Sequence, residues 1–209
     1  MYQLKPGMIL LAEKTRGFEL SNFFPFIIRL VIGNKIIHTG VVESCYLNSI
    51  VYWDSGPEGV GRRTIPNIKN DQEGGLILAN DTVVTWVSEL PLDLATSDQV
   101  TLMLEEIAKV NRAKYNYSGI LNTAWDHFMR LFQTLPKTQP DCQFGYKFTC
   151  SQLISYAMSK AGIPFSQTFA ATVHPALVEP DNFKQSPFIV TPIADLAILQ
   201  SGLSDQPLQ

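Results

Sequence analysis

Histidine and cysteine are scarce in this chain, with three of each among 209 residues. The cysteines, Cys45, Cys142 and Cys150, match neither a zinc-ligand spacing nor the dense, even-numbered set of a disulfide scaffold. An odd count favours reduced thiols and a cytoplasmic compartment of synthesis. A Cys142 to Cys150 bridge fits the spacing and would silence Cys150 as a nucleophile. His38, His127 and His174 are far apart, and no His-Glu-x-x-His or Cys-x-x-Cys pattern joins them, so neither a metal nor another cofactor is expected.

Charge is sparse as well. Only 17% of residues are charged and the formal net charge is -3, which offers no bulk attraction to nucleic acid or to an anionic membrane surface. Long apolar runs are missing. The stretch 23–32 is apolar but is broken by Pro25 and Arg29 and is too short to span a bilayer. It reads as a core helix starting near Ser21, with a lipid-facing or substrate-facing role as the alternative. The first residues lack the basic leader, apolar stretch and cleavage site of a secretory signal. No internal repeat, low-complexity block or linker divides the chain.

What is present is apolar bulk: 45% hydrophobic residues, including 12 Phe, 7 Tyr and 3 Trp. That suffices for one substantial core, so a single domain is expected over residues 1–203, followed by a polar tail at 204–209. β-favouring segments between turn residues predict strands at 8–12, 36–43, 50–54, 83–87 and 188–191. Thr96-Ser97-Asp98-Gln99 reads as a capping box, with Leu102, Met103, Ile107 and Val110 on one face of the helix that follows. Further helices are expected at 118–132 and from Cys150 onward. The segment 67–75 reads as a surface loop, and 136–140 breaks regular structure. The resulting class is α+β, with an antiparallel sheet or partial barrel packed against helices.

The sharpest local feature is Phe148-Thr149-Cys150-Ser151-Gln152-Leu153-Ile154. Leu153, Ile154, Ala157, Met158 and Ala161 recur at helical spacing, and Gly162 and Pro164 supply a stop. Cys150 then falls in the first turn or at its edge, where helix-terminal amides lower a thiol pKa and can stabilise an oxyanion. The bland alternative is a small buried hydrophobe. A nucleophilic thiol also needs a base. His38 lies in a strand, with Gly40 on the same face leaving room beside it for a helix or substrate. His127 sits in a helical segment where Asp126 points about 100° away, which suits packing. His174, before Pro175, suits a turn or a cap. Asp54 closes the following strand, where it either orients His38 or caps the Ser55-Gly56-Pro57 turn. Glu43 is the runner-up orienter, but alternation turns it to the opposite face.

The ordered set Leu4-Lys5-Pro6-Gly7-Met8-Ile9-Leu10, His38-Thr39-Gly40-Val41-Val42, Val51-Tyr52-Trp53-Asp54 and Phe148-Thr149-Cys150-Ser151-Gln152-Leu153 resembles the circularly permuted NlpC/P60 superfamily of papain-like thiol enzymes. It looks closest to the YiiX-like branch, with lecithin:retinol acyltransferases as more distant relatives. The resemblance covers roughly residues 4–193, and Met8 replaces the Asp that usually follows the entry glycine. It implies Cys150 as nucleophile, His38 as base and Asp54 as the orienting residue. It also implies that Tyr117, with Tyr115 as competitor, assists an oxyanion or positions substrate, and that Gly145 and Tyr146 shape the cleft.

A thioester formed at Cys150 would pass to water in a hydrolase, or to an amine or alcohol in an acyltransferase. Peptidoglycan peptides, other peptide amides and acyl lipids all suit that chemistry. Amide hydrolysis is the favoured expectation, with a lipid-directed acyltransferase or esterase, or a non-catalytic peptide- or lipid-binding module, as alternatives. A bacterial effector delivered to the periplasm or to another cell by a specialised secretion system, with a secretion or immunity partner, also fits a chain without a signal segment.

Overall fold

Strands that are distant in sequence meet side by side to build the platform of this protein. The computed structural model describes residues 4–15, 35–46, 49–66, 75–78, 82–91, 93–118, 147–164, 178–185 and 187–196. Its elements are β1 (Ile9–Thr15), β2 (His38–Tyr46), β3 (Ser49–Gly56), β4 (Gly59–Pro66), β5 (Leu76–Ile77), β6 (Thr82–Glu89), α1 (Ser97–Lys109), β7 (Lys114–Tyr115), β8 (Lys147–Phe148), α2 (Cys150–Lys160) and β9 (Ile189–Pro192). Seven strands form one antiparallel sheet in the order β4-β3-β2-β1-β6-β5, with β9 also on β6, while β7 and β8 form a small parallel pair. Among the described residues the path does not close into a barrel.

The expected strands and the α1 and α2 helices are therefore present, within a mixed α+β fold. β4, β5, β7 and β8 are additions. Pro57 and Glu58 turn the chain directly from β3 into β4, with Gly56 opposite Gly59, where the sequence pattern suggested only a turn at Ser55-Gly56-Pro57. The expected helices at 23–32 and 118–132 (beyond Ser118), Cys142, Gly145, Tyr146, His127, His174 and the tail lie outside the described residues. None of the described helices is long and apolar enough to cross a membrane.

Alternation gives the sheet two apolar faces. On one, Ile9, Leu11, Val41 and Trp53 pack with Met103 and Ile107 of α1 and with Leu153, Ile154, Ala157 and Met158 of α2. On the other, Met8, Leu10, Ala12, Val42 and Tyr52 pack with Ile193 and Leu196. Met8, in the position where the resembled family usually carries Asp, is thus a core residue. The entry turn before it places Gly7 at φ 86, in the left-handed region that favours glycine.

Two ties fix where β2 begins. The Asp181 carboxylate accepts from the amides of Lys35 at 3.1 Å and Ile36 at 2.8 Å, and Ile37 donates to the Ala12 carbonyl at 2.8 Å. The strand thereby starts in register with β1, with His38 opposite Ala12.

Leu153 is fully buried between α2 and the sheet. Replacing it by alanine removes apolar contact and leaves a cavity, so Leu153→Ala is expected to lower the unfolding free energy by ~2–5 kcal/mol in urea titrations.

Candidate active site

The start of α2 is held by reciprocal hydrogen bonds. Thr149, the N-cap, has extended backbone (φ -79, ψ 170); its hydroxyl accepts from the Gln152 amide at 3.3 Å, and the Gln152 side chain accepts from the Thr149 amide at 3.1 Å. This is the same Thr-x-x-Gln arrangement that opens α1. Cys150 consequently occupies the first helical position, where its amide has no acceptor within the helix and the helix dipole favours negative charge.

Neighbouring segments fasten this helix start to the sheet. The Ser55 hydroxyl, next in sequence to Asp54, donates to the Phe148 carbonyl at 2.7 Å. Asn116 donates its amide to the same carbonyl at 3.2 Å and its side-chain nitrogen to Gln152 at 3.1 Å. Tyr115 pairs with Phe148 across β7 and β8.

His38 and Asp54 meet across adjacent strands. Gly40 pairs with Asp54 in the β2–β3 register, so His38, Gly40 and Asp54 project from one side of the sheet. His38 Nε2 lies 3.0 Å from Asp54 Oδ2, which leaves Nδ1 as the ring nitrogen for the Cys150 sulfur. Arg63 on β4 donates from Nε to Asp54 Oδ1 at 2.7 Å and from its terminal nitrogen to Glu58 at 3.2 Å. Both carboxylate oxygens of Asp54 are therefore engaged, and the residue lies within β3 instead of capping the turn after it. Glu43 is paired with Arg62 through contacts of 2.7 and 2.8 Å, so it is not the residue that orients His38.

His38, Asp54 and Cys150 are only 7%, 1% and 5% exposed, so a charge at any of them requires a partner. Burial alone would lower the His38 pKa. Its hydrogen bonds with Asp54 and Cys150, and their charges, outweigh that effect and raise it from 6.5 to about 10. Burial pushes the Cys150 thiol up, but the hydrogen bond and charge of His38, aided by Thr39, bring it below its ordinary value. Burial likewise opposes ionisation of Asp54, yet His38 and Arg63 hold its carboxyl below the usual range. The arrangement favours a thiolate, an imidazolium, a carboxylate and a guanidinium, two charges of each sign.

Gly40, Tyr117 and Tyr115 surround these groups. A Cβ on Gly40 would meet the Tyr52 ring at 3.0 Å and the Trp53 carbonyl oxygen at 3.2 Å, so the glycine accommodates close packing against β3. Tyr117 is 39% exposed and donates its hydroxyl to the Pro57 carbonyl at 3.4 Å. Its ring meets Tyr115 edge to face, with centroids 4.9 Å apart. Tyr115 is half-buried, and its phenol is held well above the ordinary range, first by burial and then by negative charge at Cys150 and Asp54. It stays protonated beside the site.

Ser55, Arg63 and Thr39 were not singled out from the sequence. Arg63 would have required recognising β4, and Ser55 the long-range contact with Phe148. The Thr149-x-x-Gln152 signature was available in the sequence and marks the helix start directly.

The sign of the His38 shift makes a stability prediction. A folded-state pKa raised from 6.5 to about 10 contributes stability that is complete below 6.5 and lost as pH rises through 10. The stability advantage of the wild type over His38→Gln, measured by denaturant unfolding at matched pH, is expected to shrink across that alkaline window. The Asp54 contribution runs the other way, being present above its ordinary pKa of 3.8 and lost as pH falls.

The chain matches no known protein-family model and no curated protein.

Proposed function

We propose that this protein is a cysteine hydrolase that cleaves an amide bond through Cys150, His38 and Asp54, with a peptidoglycan peptide or another peptide amide as substrate. The observation that carries the reading is the buried 3.0 Å bond between His38 and Asp54, with buried Cys150 at the first position of a capped helix and electrostatically coupled to His38. The motif resemblance to the permuted, papain-like NlpC/P60 superfamily, closest to its YiiX-like branch, supports the same assignment.

In this mechanism the Cys150 thiolate attacks the carbonyl carbon and the carbonyl electron pair moves onto oxygen. The Cys150 amide at the positive end of α2 faces that developing charge. The tetrahedral species collapses as the carbon–nitrogen bond breaks, and His38 passes its Nδ1 proton to the departing amine. A thioester remains. His38, now neutral, takes one proton from water as the water oxygen attacks the thioester carbonyl; the carbon–sulfur bond breaks, restoring the thiolate, and the carboxylic acid product leaves and gives its remaining proton to solvent. Asp54 keeps its bond to Nε2 throughout, fixing the ring and stabilising its charged form. Arg63 holds the other carboxylate oxygen and so limits rotation of Asp54.

Cell-wall peptide fragments and lipid extracts incubated with wild type and with Cys150→Ala, then compared by mass spectrometry, test this reading. The expected result is a cleaved peptide amide formed only by the wild type, with the variant slower by at least about a thousandfold. Equal cleavage by both proteins would overturn it, as would a Cys150-dependent acylated lipid in place of a hydrolysed peptide.

A further inference from the structure

Arg63 reaches Asp54 on the diagonal between neighbouring strands. Asp54 stands opposite Gly61, and Arg63 stands opposite Tyr52, so the guanidinium crosses on the side of the sheet that carries His38 and Asp54. It lies over Gly61, whose Cβ position is 3.8 Å from the guanidinium carbon. Alternation turns Arg62 to the other side, where it pairs with Glu43. Arg63 is therefore the β4 cation that serves the site.

Three groups stand in line. Arg63 Nε donates to Asp54 Oδ1 at 2.7 Å, and Asp54 Oδ2 lies 3.0 Å from His38 Nε2. Asp54 is 1% exposed and the Arg63 side chain 23%, so little water screens the guanidinium from the imidazole. A guanidinium keeps its proton throughout the working range of a protein, which makes its charge fixed. His38 and Cys150, at the other end of the line, titrate.

We propose that Arg63 is a positioning residue whose fixed charge, acting across Asp54, sets the pH range in which Cys150 and His38 form an ion pair. This inference rests on Cys150 and His38 being the nucleophile and base of the proposed hydrolase, and it adds an electrostatic role for Arg63 to its bracing of Asp54. A nearby cation disfavours protons on both groups. With Arg63 in place the sulfur becomes anionic at lower pH, and the imidazolium releases its Nδ1 proton to the leaving amine more readily. Arg63 itself neither gains nor loses a proton. A purely steric brace would act differently: its loss would lower reactivity at every pH and leave the midpoints where they were.

The other groups around the pair come from several elements. Asp54 on β3 faces His38, Tyr115 on β7 lies beside Cys150, and Glu58, 81% exposed in its side chain, holds the outer end of Arg63 at 3.2 Å. On β1 the residue opposite His38 is the uncharged Ala12, and the adjacent Glu13 is paired with Lys184. Lys114 and Lys147, partners across β7 and β8, are exposed. A test must change the charge at Arg63 and leave these groups in place.

Iodoacetamide alkylation of Cys150, read by peptide mass spectrometry across pH, gives the thiolate midpoint without a substrate. The proton NMR shift of the His38 ring, assigned by its loss in His38→Gln, gives the imidazolium midpoint. Arg63→Met removes the charge, and Arg63→Gln keeps a donor without it. Each is expected to raise both midpoints by about one pH unit, a tenfold loss of alkylation rate on the acid side. Arg63→Lys retains the charge and is expected to stay close to the wild type. Glu58→Lys, in the exposed turn, adds a cation beside the same guanidinium and serves where the neutral variants do not fold; it is expected to lower both midpoints by a few tenths of a unit at low ionic strength.

Unmoved midpoints in the folded neutral variants would overturn the proposal, as would an Arg63→Lys variant displaced as far as they are. A Glu58→Lys variant that leaves the midpoints in place or raises them would also overturn it. His38→Ala separates the two levels of inference. A large His38 effect on alkylation with no Arg63 effect removes only the role of Arg63, while ordinary thiol reactivity in the wild type and no His38 effect remove the nucleophile as well.

Discussion

The contact between a buried imidazole and two buried acidic groups is the constraint to which the rest of this structure answers. Ionised groups lose hydration when enclosed, and that loss is tolerable only where opposite charges and hydrogen bonds replace water. Asp54 meets the requirement with His38 on one oxygen and Arg63 on the other. Cys150 meets it with His38 and the start of a helix. Such pairs contribute little net stability compared with apolar residues of the same volume. Their cost is consistent with the chemical role proposed for them.

The supporting elements act on one another. Asp181 holds the residues that lead into β2, the β2–β3 register brings Asp54 to the His38 face, and Ser55 reaches from beside Asp54 to the carbonyl two residues before Cys150. The same sheet thus carries His38 and Asp54, and it anchors the segment that leads into Cys150. Met103, Ile107, Leu153 and Met158 then lock the helices onto the sheet through an apolar contact. Packing provides the rigidity, and the polar ties provide the registration.

Much of this was legible in the sequence. Two-residue alternation identified the strand bearing His38, and 3.6-residue spacing identified the helix behind Cys150, because each pattern records a face that must leave water. Asp54 was legible as a partner of His38, since a carboxylate on the neighbouring strand can cross to it. The turn alternative failed because β3 continues through Gly56. Arg63 was hidden because Gly59, Gly61, Arg62 and Arg63 give β4 little apolar alternation; its strand forms through backbone pairing with β3. Tyr115 and Tyr117 were equally visible as aromatics, but only three-dimensional packing separates the half-buried phenol influenced by Cys150 from the exposed one bonded to Pro57.

The proposed chemistry depends on sulfur being charged before substrate arrives, and ultraviolet thiolate absorbance, corrected with Cys150→Ala and followed against pH, measures that directly. The pairing with His38 predicts a Cys150 thiolate that persists below the ordinary cysteine pKa of 9.0 and is lost from this range in His38→Ala. Ionisation at the ordinary value, unaltered by His38→Ala, would contradict it.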